Sequence, residues 1–237
     1  MLKKTVIFCA LMLIVSFNAF AHDVWVEKKD GKFFIVYGHG EKHDPYDPSK
    51  IKEVIAYDSN GNPTPVEVIR HKDSASLSTK ERVSAFTIFF DNGYWVKTTE
   101  AWRNISKIEA EAKGMQLVEP ARHSLKYAKS LIQWAEIYTK PLGMKLEVVP
   151  ASNPLLMKKG ESLSVTVFYE GRPLEGARIE SGYIGHHEIA KTDKKGVAVI
   201  PVKSGMNVIV AKHSVPIKDN PHVDIISISS TLTFEVK

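Results

Sequence analysis

Histidines are the residues of this chain whose positions most clearly suggest chemistry, and His22 in the stretch AFAHDVWVE is the first of them. Cleavage between Ala21 and His22 would make His22 the first residue of the finished protein. Its α-amine, with a reference pKa of only about 7.7–8.0, and its ring Nδ1 would then chelate one metal ion together. Nickel, cobalt, copper and zinc ions bind well to nitrogen donors of this kind. We therefore expect His22 to be a metal ligand; the alternative is a histidine left at the terminus by chance.

The first 21 residues have the three regions of a secretory signal peptide. Lys3 and Lys4 precede an apolar run over residues 5–17, and an A-x-A pattern ends at Ala21. The apolar run is short for a membrane span of roughly 20 residues. We predict a cleaved signal peptide over residues 1–21, a periplasmic protein, and a finished chain that does not span the membrane.

Composition and motifs argue against several classes of function. Loss of the signal peptide lowers the formal net charge from +5 to +3, and no basic stripe with interleaved aromatics is seen, so we expect no nucleic-acid partner. The sole cysteine, Cys9, leaves with the signal, so the mature chain has no thiolate to offer a metal. No G-x-S-x-G elbow, phosphate-binding loop or H-E-x-x-H motif occurs, and we expect the protein not to be an enzyme.

A second nitrogen donor is predicted at His39, in the stretch YGHGEKHD. Residues 24–27 and 34–37 alternate around a Lys-Asp-Gly turn and predict an antiparallel hairpin. Such a hairpin places His22 and His39 at the same end of one sheet. The flanking glycines allow the backbone to approach a ligand closely. The alternative is a glycine-rich turn with an incidental histidine.

Further ligand candidates are less well defined by their surroundings. His43 lies four residues beyond His39 and is either a third ligand or a loop residue. His187 belongs to the stretch GHHE with His186, where adjacent histidines on a strand would point to opposite faces. A solvated loop is the alternative for this pair. The metal-ligand candidates are therefore His22, His39, His43 and His187.

Most of the chain is predicted to form strands. Two further hairpins are expected, with turns at Asn60-Gly61 and at residues 91–93. A short helix is predicted over residues 105–114, closed by Gly114. Periodicity does not decide between helix and strand for residues 121–138.

The fold class is predicted to be mainly β, with two tandem β-sandwich-like domains and a short helical insertion in the first. Prolines and glycines between residues 141 and 154 mark the expected boundary. The N-terminal β-rich domain would span residues 22–140. Short strands with frequent turns over residues 141–237 predict an immunoglobulin-like β-sandwich.

An ordered set of motifs resembles the NikM-like family of periplasmic proteins associated with nickel and cobalt uptake, many members of which are described only as a domain of unknown function. The motifs are AHDVWVE, YGHG, NGYWVKT, LKYAKSL, PLGMKLEVVPASNPL, GESLSVTVFYEGRPLEGARI, KTDKKGVAVIPV and TLTFEVK. They cover essentially the whole mature chain. The second half is also similar to sandwiches of the carboxypeptidase-regulatory or Cna-B type, which indicates fold and not activity.

The resemblance implies binding of a nickel or cobalt ion, with copper or zinc as alternatives, alongside a membrane importer of the ABC or energy-coupling-factor type. The mature N-terminal histidine of the family maps to His22 and the Gly-His-Gly motif to His39. The family pattern also favours a strand over residues 126–134. Two other functions remain open: a copper enzyme of the polysaccharide monooxygenase type, and an immunoglobulin-like binding module without a metal.

Overall fold

A computed structural model of the protein describes residues 22–181 and 187–237, the side chain of His187 excepted. The expected signal peptide and His186 lie outside these residues. The fold is mainly β, as predicted, with several sheets and a short α-helix, consistent with a β-sandwich. Among the residues that the structure describes, no helix is long and apolar enough to cross a membrane.

Strands form nearly all of the regular structure. In the first half they are β1 (Asp23–Lys29), β2 (Lys32–His39), β3 (Lys42–His43), β4 (Ile51–Tyr57), β5 (Pro63–Thr64), β6 (Glu67–Arg70), β7 (Ala75–Ser78), β8 (Ala85–Lys97) and β9 (Trp102–Arg103). In the second half they are β10 (Arg122–Leu131), β11 (Leu146–Pro150), β12 (Ser162–Tyr169), β13 (Arg172–Pro173), β14 (Arg178–Ser181), β15 (His187–Lys191), β16 (Val197–Pro201), β17 (Gly205–Pro216) and β18 (Ile225–Val236). The helix is α1 (Lys107–Ala112), and short 3-10 helices occupy Pro48–Lys50, Glu136–Thr139 and Pro154–Leu156.

Two smaller sheets pack against a large central sheet. The central sheet has the order β15-β14-β17-β18-β10-β8-β4-β5, with β9 paired to β8. A second sheet has the order β1-β2-β7-β6, with β3 paired to β2, and a third joins β11, β12, β13 and β16. All neighbouring pairs in the central sheet are antiparallel except β10 and β18, which run parallel.

Both faces of the central sheet are covered by other sheets. This explains why the sequence of β10 does not distinguish a strand from a helix. On one face, Leu125 and Ile228 pack with the sheet of β11 and β12 in a shared apolar core. On the other face, Ala128 and Ile88 pack against Val24 of the sheet of β1 and β2. A strand buried on both faces loses the alternation of apolar and polar residues that identifies a half-buried strand.

The first hairpin has the predicted pairing. Val24 lies opposite Tyr37, and Glu27 lies opposite Phe34. Its turn uses left-handed backbone at Asp30 and Gly31, with φ angles of 51° and 77°. This hairpin carries His22 at one end and places His39 beside it.

The predicted hairpin turn at residues 91–93 is wrong. β8 runs without reversal from Ala85 to Lys97, and both of its halves pair with β10. The Asp-Asn-Gly sequence makes a bulge instead, in which the Gly93 N–H donates to the Asp91 side chain at 2.9 Å and Gly93 has a φ of 79°. Turn residues in a strand interior often mark such a bulge. The turn at Asn60-Gly61 is confirmed, with β4 pairing back onto β5.

Residues 105–114 and 121–138 contain a helix and a strand, respectively. The helix α1 begins after its cap Ser106, whose side chain accepts from the Glu109 N–H, and it ends within the predicted range. The segment with two candidate structures is the strand β10, which confirms the strand from residue 126 but ends at Leu131, before residue 134.

The central sheet contains strands from both sides of the expected boundary at residues 140 and 141. β10 precedes the boundary and β18 ends the chain, yet they pair along nine residue pairs from Arg122 with Ile225 to Ser130 with Thr233. The division into domains at 22–140 and 141–237 stays a prediction. The pairing does fix the position of β1, because β1 packs across both β10 and β18.

Candidate functional site

The predicted histidine pair lies together at the open end of the first hairpin. Asp23 and Gly38 are the last paired residues of β1 and β2, so His22 and His39 lie one residue beyond this pair. The centroids of their rings are 4.4 Å apart, and the rings are inclined by 41°. The His22 side chain keeps 33 % of its surface exposed. Two imidazoles at this separation supply nitrogen donors to one small volume.

Asp44 fixes the orientation and tautomer of the His22 ring. The His22 Nε2 atom lies 2.9 Å from the Asp44 Oδ2 atom. Burial raises the pKa of the Asp44 carboxyl, but the hydrogen bond from His22 and the charge of Lys42 outweigh it and lower that pKa below its ordinary value. The carboxylate is therefore ionised at neutral pH and accepts the proton of Nε2. In neutral imidazole the other nitrogen, Nδ1, is then the unprotonated one.

The tight turn after β2 brings Asp44 into place. The Asp44 N–H donates to the Tyr37 carbonyl at 2.8 Å, which closes the turn through β3. A Cβ atom on Gly38 would lie 2.1 Å from the Lys42 carbonyl oxygen, so glycine is required there. Gly38 thus allows a close approach of backbone to backbone, and Gly40 has left-handed backbone with a φ of 53°.

The ring of Tyr37 stacks against the ring of His22. The two rings are parallel within 4°, with centroids 4.6 Å apart. The Tyr37 hydroxyl donates to the Asn92 Oδ1 atom at 3.4 Å, and Asn92 is the bulge residue of β8. Burial raises the pKa of Tyr37 to about 12, so the phenol stays neutral. Burial also lowers the pKa of His22, against the opposing effect of Asp44, and this favours the neutral ring that binds metals.

A buried lysine lies under the amino end of β1. Lys126 is 3 % exposed, and burial lowers its pKa to about 8 although the Asp23 carboxylate acts in the opposite direction. Lys126 is also close enough to contribute to the lowered pKa of His22. Lysine is rarely buried to this extent in proteins. Sequence reasoning did not single out Lys126, because it lies in the segment for which periodicity did not decide between helix and strand.

Of the other two predicted ligands, His43 makes its contacts away from this pair, and the side chain of His187 lies outside the described part of the chain. His43 lies in β3 with its Nε2 atom 3.3 Å from the Glu27 Oε1 atom, and its ring stands edge-on to Trp25. It therefore belongs to a separate contact on the hairpin. His187 starts β15, where its backbone pairs with Ser181, and its side chain lies outside the described part.

A second group of polar aromatic contacts forms at the far end of β8. The His123 Nε2 atom is 2.8 Å from the Asp91 Oδ1 atom, and the Tyr94 ring contacts both His123 and His222. His213 instead packs beside Tyr169 at a centroid distance of 4.6 Å.

Within residues 22–181 and 187–237, no group of three or more His, Cys, Asp or Glu side chains is arranged to hold a metal ion. The side chains near His22 include one further imidazole, from His39, and the Asp44 carboxylate that already accepts from Nε2. A third nitrogen donor at this place is the main-chain nitrogen of His22 itself, which becomes an amine only after cleavage.

Sequence reasoning missed Asp44 and Tyr37 as partners of His22. The position of Tyr37 follows from the predicted register, which sets it opposite Val24. The position of Asp44 depends on the conformation of the turn after His39, which the spacing of residues in the sequence does not predict.

Comparison with known proteins gives a family. A family described as "Domain of unknown function (DUF4198)" matches residues 19–215, so the chain belongs to it. No curated protein and no solved structure matches the chain.

Proposed function

We propose that this DUF4198 protein is an exported metal-binding protein that captures Ni(II) or Co(II) at its processed amino terminus and passes the ion to a membrane importer. The observation that carries the proposal is the hydrogen bond from the His22 Nε2 atom to Asp44. It leaves Nδ1, the ring nitrogen nearest the main chain, unprotonated and able to chelate together with the α-amine.

The donor set is completed by His39. Its ring centroid lies 4.4 Å from that of His22, and one of its ring nitrogens is proposed as the third donor. A carboxylate that orients a ligating histidine is a common feature of metal sites and raises the basicity of the ring. Amine and imidazole nitrogens suit nickel, cobalt, copper and zinc. Three protein donors leave coordination positions open, which suits a protein that must release its metal.

Cleavage before His22 is essential to the proposal. In the uncleaved chain the nitrogen of His22 belongs to a peptide bond and carries no basic lone pair. The signal-peptide pattern of residues 1–21 supports cleavage at this bond and export to the periplasm. The NikM-like resemblance supports nickel or cobalt as the cargo and an importer of the ABC or energy-coupling-factor type as the partner.

The test is calorimetric titration of the protein purified from the periplasm, with Ni(II), Co(II), Cu(II) and Zn(II) in turn. Intact-mass measurement first establishes that His22 is the amino terminus. We expect one tight site, lost in His22→Ala, weakened in His39→Ala, and lost in a form with one extra residue before His22. His71→Ala is the matched control, because His71 is exposed and its ring nitrogen contacts the Ser76 hydroxyl.

Each result leads to one interpretation. Equal binding by all forms would move the site elsewhere and contradict the proposal. Absence of binding would favour a binding module without a metal. Tight copper binding with oxidation of ascorbate and formation of peroxide would favour the copper enzyme, which shares the same pair of histidines.

A further inference from the structure

A cleft of about 420 Å³ lies between the central sheet and the loop of residues 141–145. We call it the loop cleft. Strands β4, β8 and β10 form one wall, and the loop forms the other. Phe89 and Tyr127 of the sheet wall belong to the core shared with β11 and β12, so the cleft lies on the opposite face of the central sheet from β1. Cavities of this size hold small molecules.

Three side chains of the sheet wall lie in one row across neighbouring strands. Glu53 of β4 pairs with Phe89 of β8, and Phe89 pairs with Tyr127 of β10. The two rings are stacked, with centroids 5.0 Å apart and 11° between their planes. Because Phe89 is in the middle of the row, Tyr127 lies on one side of its ring and Glu53 on the other. A group bound beside Glu53 therefore meets an aromatic ring as well as a carboxylate.

The opposite wall is held in place by a buried carboxylate. The Leu142 N–H donates to Glu147 at 2.8 Å, and the N–H groups of Gly143 and Met144 donate to it at 3.2 Å. Glu147 is fully buried and is paired with Lys129 at 2.5 Å. Leu142 and Met144 line the cleft, so an apolar surface faces the aromatic row across a gap whose two walls are both fixed.

Two polar groups of the row have no partner within the described part of the chain. Tyr127 lines the cleft and is only 8 % exposed, and its hydroxyl makes no hydrogen bond to any described residue. Glu53 is exposed at the cleft, and it forms no ion pair with a described cation. Buried polar groups are nearly always hydrogen-bonded in folded proteins. A phenol oxygen and a carboxylate in one row are both able to accept from a ligand.

The charges around the cleft favour a cation. The Lys145 Nζ atom lies 3.4 Å from the Glu170 Oε1 atom, so these two charges compensate each other. Lys52, next to Glu53 in the chain, donates to the Ser49 carbonyl instead. The Glu53 carboxylate therefore remains uncompensated. An ammonium group binds a carboxylate through charge-assisted hydrogen bonds and is attracted to the face of an aromatic ring.

We propose that the loop cleft binds the ammonium group of a small primary alkylamine. The ammonium N–H groups donate to the Glu53 carboxylate and to the Tyr127 hydroxyl oxygen. The carbon chain lies between Phe89 and Met144. A primary amine is required because both contacts need an N–H donor, which a quaternary ammonium lacks. The central sheet separates the cleft from His22, so this binding does not depend on the proposed metal function.

The first experiment compares three compounds with the same carbon chain. The full protein is titrated calorimetrically at pH 7 with n-butylamine, n-butyltrimethylammonium and n-butanol. We expect n-butylamine to bind. The trimethyl compound keeps the charge without the N–H groups, and butanol keeps the chain without the charge. Both should bind at least tenfold more weakly, because hydrogen bonds to a charged group are lost.

The second experiment changes the protein. Glu53→Gln should weaken n-butylamine binding about tenfold or more. Tyr127→Phe should weaken it about two- to tenfold and leave the melting temperature unchanged, because the lost hydroxyl has no hydrogen bond in the free protein. Glu67→Gln is the matched control for the change in charge. Glu67 is an exposed residue of β6, in the sheet of the first hairpin, and its variant should bind the amine as wild type does.

The outcomes separate this proposal from the metal proposal. Failure of n-butylamine to bind, equal binding of butanol or the trimethyl compound, or equal weakening in the Glu53 and Glu67 variants would each overturn the amine site. Ni(II) binding should be the same in Glu53→Gln as in wild type, and amine binding should be the same in His22→Ala. Loss of amine binding in His22→Ala would contradict the separation of the two sites. Absence of nickel binding with amine binding intact would refute the metal function and leave the amine site standing.

Discussion

Replacement of Lys126 by methionine tests whether Lys126 is a buried charged group that lowers the free energy of unfolding. Methionine keeps the length and much of the volume of the side chain and removes the ammonium group. Burial lowers the pKa of Lys126 from 10.5 to about 8 in the folded protein. One pKa unit corresponds to about 1.4 kcal/mol, so the difference corresponds to about 3 kcal/mol of folding free energy.

The sign of the pH dependence follows from proton binding. Below pH 8 the amine is protonated in both states, and the folded state bears the full cost of the buried charge. Between pH 8 and 10.5 the unfolded chain binds more protons, so the free energy of unfolding rises with pH in this window. Above 10.5 the amine is neutral in both states. Wild type should therefore gain up to about 3 kcal/mol across the window relative to Lys126→Met.

Urea unfolding followed by tryptophan fluorescence at pH 7, 8.5 and 10 measures this difference. Other groups that titrate in the window, including tyrosines, are common to both proteins and cancel in the comparison. Lys52→Met is the matched control, because Lys52 is an exposed lysine of β4. A constant difference between wild type and Lys126→Met from pH 7 to 10 would refute the claim that Lys126 is a buried, protonated amine.

Three further predictions concern the site and its support. Asp44→Ala should weaken metal binding by roughly 10- to 100-fold, as loss of a carboxylate that orients a ligating histidine does elsewhere, and calorimetry measures it. Glu147→Gln should lower the free energy of unfolding by about 3–5 kcal/mol, because it leaves the fully buried Lys129 ammonium, 2.5 Å from Glu147, without its carboxylate; the double variant with Lys129→Met should recover part of the loss in urea unfolding. Gly38→Ala should shift the turn that carries Asp44, since its Cβ would meet a carbonyl oxygen. The resulting loss of metal-binding free energy should therefore exceed the loss in the free energy of unfolding.

The local part of the fold could be predicted from the sequence because it depends on short spacings. The alternation around the Asp30-Gly31 turn predicted the register of the first hairpin, and the structure has that register. The proximity of His22 and His39 follows from it directly. The helix of residues 107–112 was likewise marked in the sequence by its terminal glycine, Gly114. Each of these features is set by residues within one element or one turn.

The features that depend on distant strands could not be predicted in this way. The Asp-Asn-Gly sequence at residues 91–93 forms a bulge because β10 pairs with β8 on both sides of it, and turn propensity alone indicates a hairpin. The identity of β10 as a strand depends in turn on β18, which lies about a hundred residues further along the chain. Local propensity is overridden where tertiary pairing supplies more hydrogen bonds and burial.

The position of the candidate site follows from the same long-range pairing. β1 packs across β10 and β18, and the Val26 N–H donates to the Ser130 hydroxyl of β10 at 2.9 Å. Ser130 is in turn bonded to Thr233 of β18 at 2.9 Å. This contact fixes where the amino end of β1 lies, and therefore sets His22 above Lys126. An amino terminus is ordinarily the least ordered part of a domain unless a strand ties it down. Here the strand begins at Asp23, so a processed terminus at His22 would be held one residue from a buried sheet, with its donors already oriented for a ligand.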